Sequence, residues 1–124
     1  MSAPVARMFN GEADTVDGVT ATVASLALPA VDGTLVRVDV EITCDDTGVG
    51  VYKGTLSKTA LALRTAGAWA IIGTPADGPI TGDGTLTSAV AVAFDFSGDT
   101  IRTRGTGAVT FSIHWKQVFG CARW

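Results

Sequence analysis

The side chains that could do chemistry are few and far apart. His114 is the one histidine, Cys44 and Cys121 are the two cysteines, and Glu12 and Glu41 are the only glutamates in 124 residues. Acyl transfer needs a serine or cysteine with a base within hydrogen-bond reach. His114 shares the polar phase of its segment with Ser112 and Lys116, which makes it a solvent-facing residue rather than a base aimed at a nucleophile. Glycoside hydrolysis needs two converging carboxylates. Glu12 and Glu41 lie in unrelated segments, and most aspartates occupy turn sequences. A hydrolase is therefore not expected, nor is any other enzyme.

Metal and cofactor signals are equally thin. Asp45 and Asp46, with Thr47 and help from Asp83 or Asp99, form the one oxygen-rich grouping suited to calcium, but their spacing matches no calcium-loop motif. One histidine and two distant cysteines make no zinc pattern. Gly48-Val49-Gly50 and Gly105-Thr106-Gly107 lack the Lys-Ser or Lys-Thr and the helix start of a phosphate loop, so they read as hairpin glycines. No metal and no cofactor is expected. Cys44 continues the apolar phase of its segment, which favours two free thiols, with a bridge to Cys121 as the alternative.

The elements that would position these residues are strands. Val36, Val38, Val40, Ile42 and Cys44 alternate with Arg37, Asp39, Glu41 and Thr43, the period of a half-buried strand. The same period runs through Leu86, Ser88, Val90, Val92, Phe94 and Phe96, and through Val109, Phe111, Ile113 and Trp115. Weaker strands are expected over 19–28, 50–63, 69–73 and 100–104. Asp32-Gly33, Gly82-Asp83-Gly84, Ser97-Gly98-Asp99 and similar clusters punctuate them as tight turns. The Ala-rich window 59–70 is broken by Gly67 and has no helix cap. About seven to eight short strands without crossover helices predict an all-β domain, an antiparallel β-sandwich or jelly-roll-like barrel. Residues 1–18 show no alternation and read as an extended N-terminal arm ahead of a sandwich domain at 19–124.

Composition narrows the partners. Nine Lys and Arg face twelve Asp and Glu, for a net charge of −3, with 17% charged and 47% hydrophobic residues. That balance gives no basic footprint for nucleic acid and the wrong sign for an anionic membrane. Every apolar run is interrupted well before the ~18 residues of a spanning helix. The N-terminus has no apolar core of a secretory signal, so synthesis and folding in a cytoplasm are expected. Low charge with high apolar content suits a subunit whose surface is covered by others. Met8 and Phe9 in the arm, Trp69, and Phe119 and Trp124 near the C-terminus are the expected interface side chains, with packing back on their own core as the alternative reading and Trp69 read as core or as a subunit contact. A carbohydrate platform built on Trp69 or Tyr52 is the alternative use of the aromatic residues.

From Leu26 to Val118 the order of features is similar to a β domain of bacteriophage virion structural proteins, of the tail or head appendage type. The likeness rests on Leu26-Ala27-Leu28-Pro29 before Asp32-Gly33-Thr34, the alternating Val36 to Ile42 strand, Gly50 to Leu56, and Gly67-Ala68-Trp69. Its most specific part is Ser97-Gly98-Asp99 followed by Ile101-Arg102-Thr103-Arg104, a Thr-Gly turn and a closing strand ending in Trp115. Two departures stand out: Gly82-Asp83-Gly84-Thr85 replaces an acidic-aromatic segment, and Gly105 stands where a strand residue is expected. The resemblance implies a non-enzymatic virion subunit, foremost a capsid decoration or cement protein, with a tail or baseplate adaptor or a host-adhesion module as alternatives. It further implies a homo-oligomer, with a trimer favoured, bound to the major capsid protein or to other head or tail proteins, and located in the virion.

Overall fold

The computed structural model describes residues 4–48, 50 and 52–124. Within them the chain folds into two antiparallel sheets packed face to face. The larger has the order β1-β9-β4-β5-β6, with β2 continuing along the same edge of β9 as β1. Its strands are β1 (Ala6–Met8), β2 (Gly11–Val16), β4 (Leu35–Asp46), β5 (Lys53–Thr65), β6 (Ala68–Gly82) and β9 (Ser112–Arg123). The smaller has the order β3-β8-β7, from β3 (Thr20–Ala27), β8 (Thr100–Thr106) and β7 (Ala91–Ser97). The expected all-β antiparallel sandwich is what forms, with one helical turn, α1 (Gly84–Thr87), between the sheets.

The alternation in β4 sets the core. Val36, Val38, Val40, Ile42 and Cys44 are all buried on the inner face. Opposite them lie Ile101 and Thr103 of β8 and Val92 of β7, buried on the smaller sheet. Between the layers sits Trp115 of β9, 0% exposed, its indole N–H donating to Thr15 Oγ1 at 2.9 Å. A Cβ on Gly105 of β8 would stand 2.8–3.0 Å from the atoms of that indole. Gly105 is therefore a strand glycine chosen for close approach to the ring, and not a hairpin glycine. Its pairing with Val92 and Ala21 is unbroken.

Two strand expectations need correction. Leu86 and Ser88 are not in the strand with Phe94 and Phe96. Asp83 caps α1 by accepting from the Thr85 N–H at 2.8 Å, and β7 starts only at Ala91. The cap competes with strand pairing because an aspartate followed by Gly84 satisfies the first free helix N–H group locally. Leu86 is fully buried all the same. Val109 is likewise outside its expected strand and is 73% exposed. Thr110 lies at φ +75°, with its N–H bonded to Asp17 Oδ1, so β9 begins at Ser112 and runs on to Arg123.

Residues 6–16, placed in the arm on sequence, are extended and hydrogen-bonded to β9 of the same chain. Met8 pairs with Cys121, and Ala13 pairs with Trp115. Phe9 stands at the break between β1 and β2 and is buried in the core. Its carbonyl accepts from Nε2 of the fully buried Gln117 at 2.7 Å, and its N–H donates to the Gly120 carbonyl at 3.0 Å. A side chain at Gly120 would collide with both Gln117 and Phe9. At the far end, Arg64 of β5 ties three turns together. It donates to Asp99 of the β7–β8 turn at 2.9 Å and to Asp32 of the β3–β4 loop at 2.8 Å. Asp32 also accepts from Gly67 N–H in the β5–β6 hairpin. There Ala66 at φ +51° and Gly67 at φ +80° supply the paired positive angles of a two-residue turn.

Both cysteines are free and buried. Cys44 pairs with Trp115 on the core face of β4, while Cys121 pairs with Asp39 on the opposite face, so the sheet itself lies between the thiols. Burial pushes the Cys44 thiol up to about 11, and the thiol donates to the Gly54 carbonyl at 3.5 Å.

Two outcomes follow from the core. Gly105→Ala forces a methyl against the indole and lowers stability by about 1–3 kcal/mol, read as a drop in the urea midpoint. Gly84→Ala, where nothing lies within 4 Å, leaves that midpoint unchanged within error. In a thiol-reagent assay at pH 8 the native Cys44 stays unlabelled and reacts once urea unfolds the chain. Because the folded thiol holds its proton longer than the unfolded one, its contribution is intact below pH 9 and is lost as pH rises from there towards 11.

Candidate functional site

The residues with chemical potential are held apart by the sheet. His114 faces outward from β9, its Nδ1 2.8 Å from Asp14 and its Nε2 4.0 Å from Glu12, with Lys116 3.8 Å from Glu12. These are cross-strand partners of β2 and β9, and they hold β2 on the edge of the larger sheet. Glu41 is exposed on the outer face of β4, between Phe119 and Ser57. The four aspartates considered for calcium have separate structural partners. Asp45 pairs with Lys53 at 3.0 Å, Asp46 Oδ1 accepts from the Gly48 N–H at 3.0 Å, Asp83 caps α1, and Asp99 meets Arg64. No group of three or more His, Cys, Asp or Glu suited to a metal occurs among the described residues. Val49, between Gly48 and Gly50, lies outside the described residues.

The sequence-predicted contact residues divide sharply. Trp69 is buried on β6 and stacks on Phe96 with ring centroids 6.2 Å apart, so it is part of the core and neither an interface nor a sugar platform. Phe9 is core for the reason given above. Trp124 is half-buried against the core, with its N–H and carbonyl bonded to Val5. Tyr52 is half-buried, edge-on to Phe111 at 5.8 Å. Met8 and Phe119 do face solvent, on adjacent strands of the larger sheet.

They belong to a surface that the sequence did not delimit. On the outer face of the larger sheet, Leu35, Leu63 and Ala70 form one cross-strand row, and Arg123, Arg37, Leu61 and Ile72 form the next. Met8, Cys121, Asp39 and Thr59 make the third, and Phe119 lies beside Glu41 in the fourth. Met8 is 59%, Leu35 50%, Leu61 41%, Ile72 40% and Phe119 37% exposed. Single exposed apolar residues are ordinary, but Leu35, Leu61 and Ile72 adjoin on one side of Arg37, Asp39 and Arg123 while Met8 and Phe119 lie on the other, and such a set on one regular face marks a contact surface.

At the middle of this face is Asp39. It accepts from Thr59 Oγ1 at 2.6 Å, Arg37 Nε at 3.2 Å and Arg123 at 3.0 Å. Burial pulls its carboxyl upward, yet the Thr59 hydroxyl and the two guanidinium groups prevail and hold it below the usual carboxylate range. The charge is thus kept ionised and internally matched amid apolar neighbours.

The outer face of the smaller sheet has the opposite character. Asp95 receives both Nε and an Nη of Arg102, at 2.7 and 2.8 Å, and lies 3.5 Å from Arg104. Hydrogen bonding to Asp95 raises the Arg102 guanidinium above its ordinary value. Among the described residues, no large hydrophobic side chain is exposed in β3, β7 or β8. The strand alternation shows which β4 residues face outward. It is the cross-strand register, a non-local fact, that gathers the apolar ones into a single surface.

No protein-family model matches the chain, and no curated protein matches it. Among solved structures it is similar to the Acinetobacter baumannii phage AM24 tailspike protein, with a TM-score of 0.58 and 9% sequence identity. The match covers 96% of this chain and 26% of that one, so the chain spans about a quarter of the length of the tailspike. At this identity the likeness is one of fold: an all-β domain of nearly this whole architecture occurs inside a phage tailspike.

Proposed function

We propose that this protein is a structural component of a bacteriophage virion that works through surface contacts rather than catalysis. The observation that carries the reading is the apolar outer face of the larger sheet, a surface suited to being covered in an assembly. The fold likeness to part of a phage tailspike supports the same reading. Two places in the particle fit it: a decoration or cement subunit on the head, and an adaptor on the tail or baseplate. The tailspike likeness favours the tail.

The test is co-sedimentation of the purified protein with separated heads and tails of the phage whose genome encodes it, beside mass spectrometry of washed virions. Saturable pelleting with tails, and the chain's peptides in the virion digest, are the expected results. Pelleting with heads alone moves the assignment to decoration. Absence from the virion and from both pellets overturns the proposal.

A further inference from the structure

We infer that the outer face of the larger sheet is where the protein associates with a second copy of itself. The inference takes from the proposed function only the premise that this face is a contact surface. Its own grounds are the extent, the charge and the strand order of the face.

The extent suits a stable pairing. β4 has 12 residues, so at roughly 3.3 Å per residue and about 4.8 Å between strands the face measures on the order of 40 Å by 20 Å. That is close to the ~800 Å² per partner of an ordinary stable interface. The distribution of side chains also fits, with apolar residues over one half and polar ones at the other end. Leu35, Leu61, Ile72, Met8 and Phe119 crowd the half around Arg37 and Asp39. The Lys53–Asp45, Lys116–Glu12 and His114–Asp14 pairs occupy the opposite end as a wettable rim.

The charge points to an identical partner. The guanidinium groups of Arg37 and Arg123 are matched on the face itself by Asp39, and Lys53 and Lys116 by Asp45 and Glu12. A surface of mixed, internally matched sign meets its own copy without net repulsion, whereas a partner selected by charge would call for a face of one sign.

Strand order supplies the symmetry. β4 is the middle strand, with β9 and β1 on one side and β5 and β6 on the other. Turning one copy over about a line along β4 lays β5 and β6 of one protomer across β9 and β1 of the other. Leu61 and Ile72 then lie over the β9 and β1 side of the partner, and the same contact is made twice, as an isologous interface requires. The free edge of β6 offers a poorer route. Pro75 and Pro79 remove backbone donors there, and two register shifts against β5 bend the strand.

Light scattering across a concentration series tests this on the full chain. The wild type is expected at twice 12.7 kDa. L61E/I72E, which buries two new carboxylates in the contact, is expected at the monomer mass with an unchanged circular dichroism spectrum. Ala93→Glu, on the polar outer face of β7, keeps the wild-type mass. If L61E/I72E does not fold, Leu35→Lys at the start of β4 is expected to raise the dissociation constant at least about tenfold. A wild type that stays monomeric at every concentration overturns the inference, as does an oligomer that these substitutions leave intact. Particle binding by a strictly monomeric protein would overturn this inference and leave the virion reading standing.

Discussion

The close approach of Gly105 to the indole of Trp115 fixes the distance between the two sheets, and much else follows from it. The ring fills the space between the layers, so β8 can come no nearer, and a side chain on Gly105 would push it away. The indole N–H must also find a partner in a dry interior. Thr15 provides it, and that bond ties β2 to the side chain on which the smaller sheet rests. Two positions along β9, Gln117 does for β1 and β2 what Trp115 does for the sheets, by binding the Phe9 carbonyl where the edge strand breaks. Residues 6–8 and 11–16 thereby become part of the larger sheet instead of an arm that waits for a neighbour.

With the core so placed, the two outer faces diverge in character because the same alternation is used differently. On β8 the outward positions are Thr100, Arg102, Arg104 and Thr106, and Asp95 binds the arginines into a polar surface that suits water. On β5 and β6 the outward positions include Leu61, Leu63, Ala70 and Ile72, which leave apolar area uncovered. Asp39 keeps that surface from being wholly apolar at little electrostatic cost, because its charge is satisfied by Thr59, Arg37 and Arg123 within the face. An apolar face with a matched polar centre is what separates a specific contact surface from an aggregation-prone one.

Much of this was legible in the sequence. The period of two in 36–44 gave β4 and its buried face, and the Ser97-Gly98-Asp99 cluster gave the hairpin at Gly98. Turn chemistry with local partners explains the misplaced strands: Asp83 captures Thr85, and Asp17 holds Thr110 in a left-handed conformation, both overriding an alternation that continues through them. The interface residues were harder to place because exposure is decided by register between distant strands. Met8 and Phe9 are neighbours in sequence, yet one faces solvent and the other the core. Trp69 looks like a candidate contact by size and is a stacking partner of Phe96. Gln117 carried an available signal, a polar residue in the inward phase of Ile113 and Trp115, and such a residue must have a buried partner.

Hydroxyl-radical footprinting of the wild-type chain across a hundredfold range of concentration shows whether the outer face of the larger sheet is covered on association, because it reads the surface without altering it. If the outer face of the larger sheet is the self-contact, labelling of Met8, Leu61, Ile72 and Phe119 falls together as concentration rises, while Val109, exposed in the loop before β9, is labelled equally throughout. Constant labelling of all five residues, or protection confined to the polar face of the smaller sheet, would contradict it.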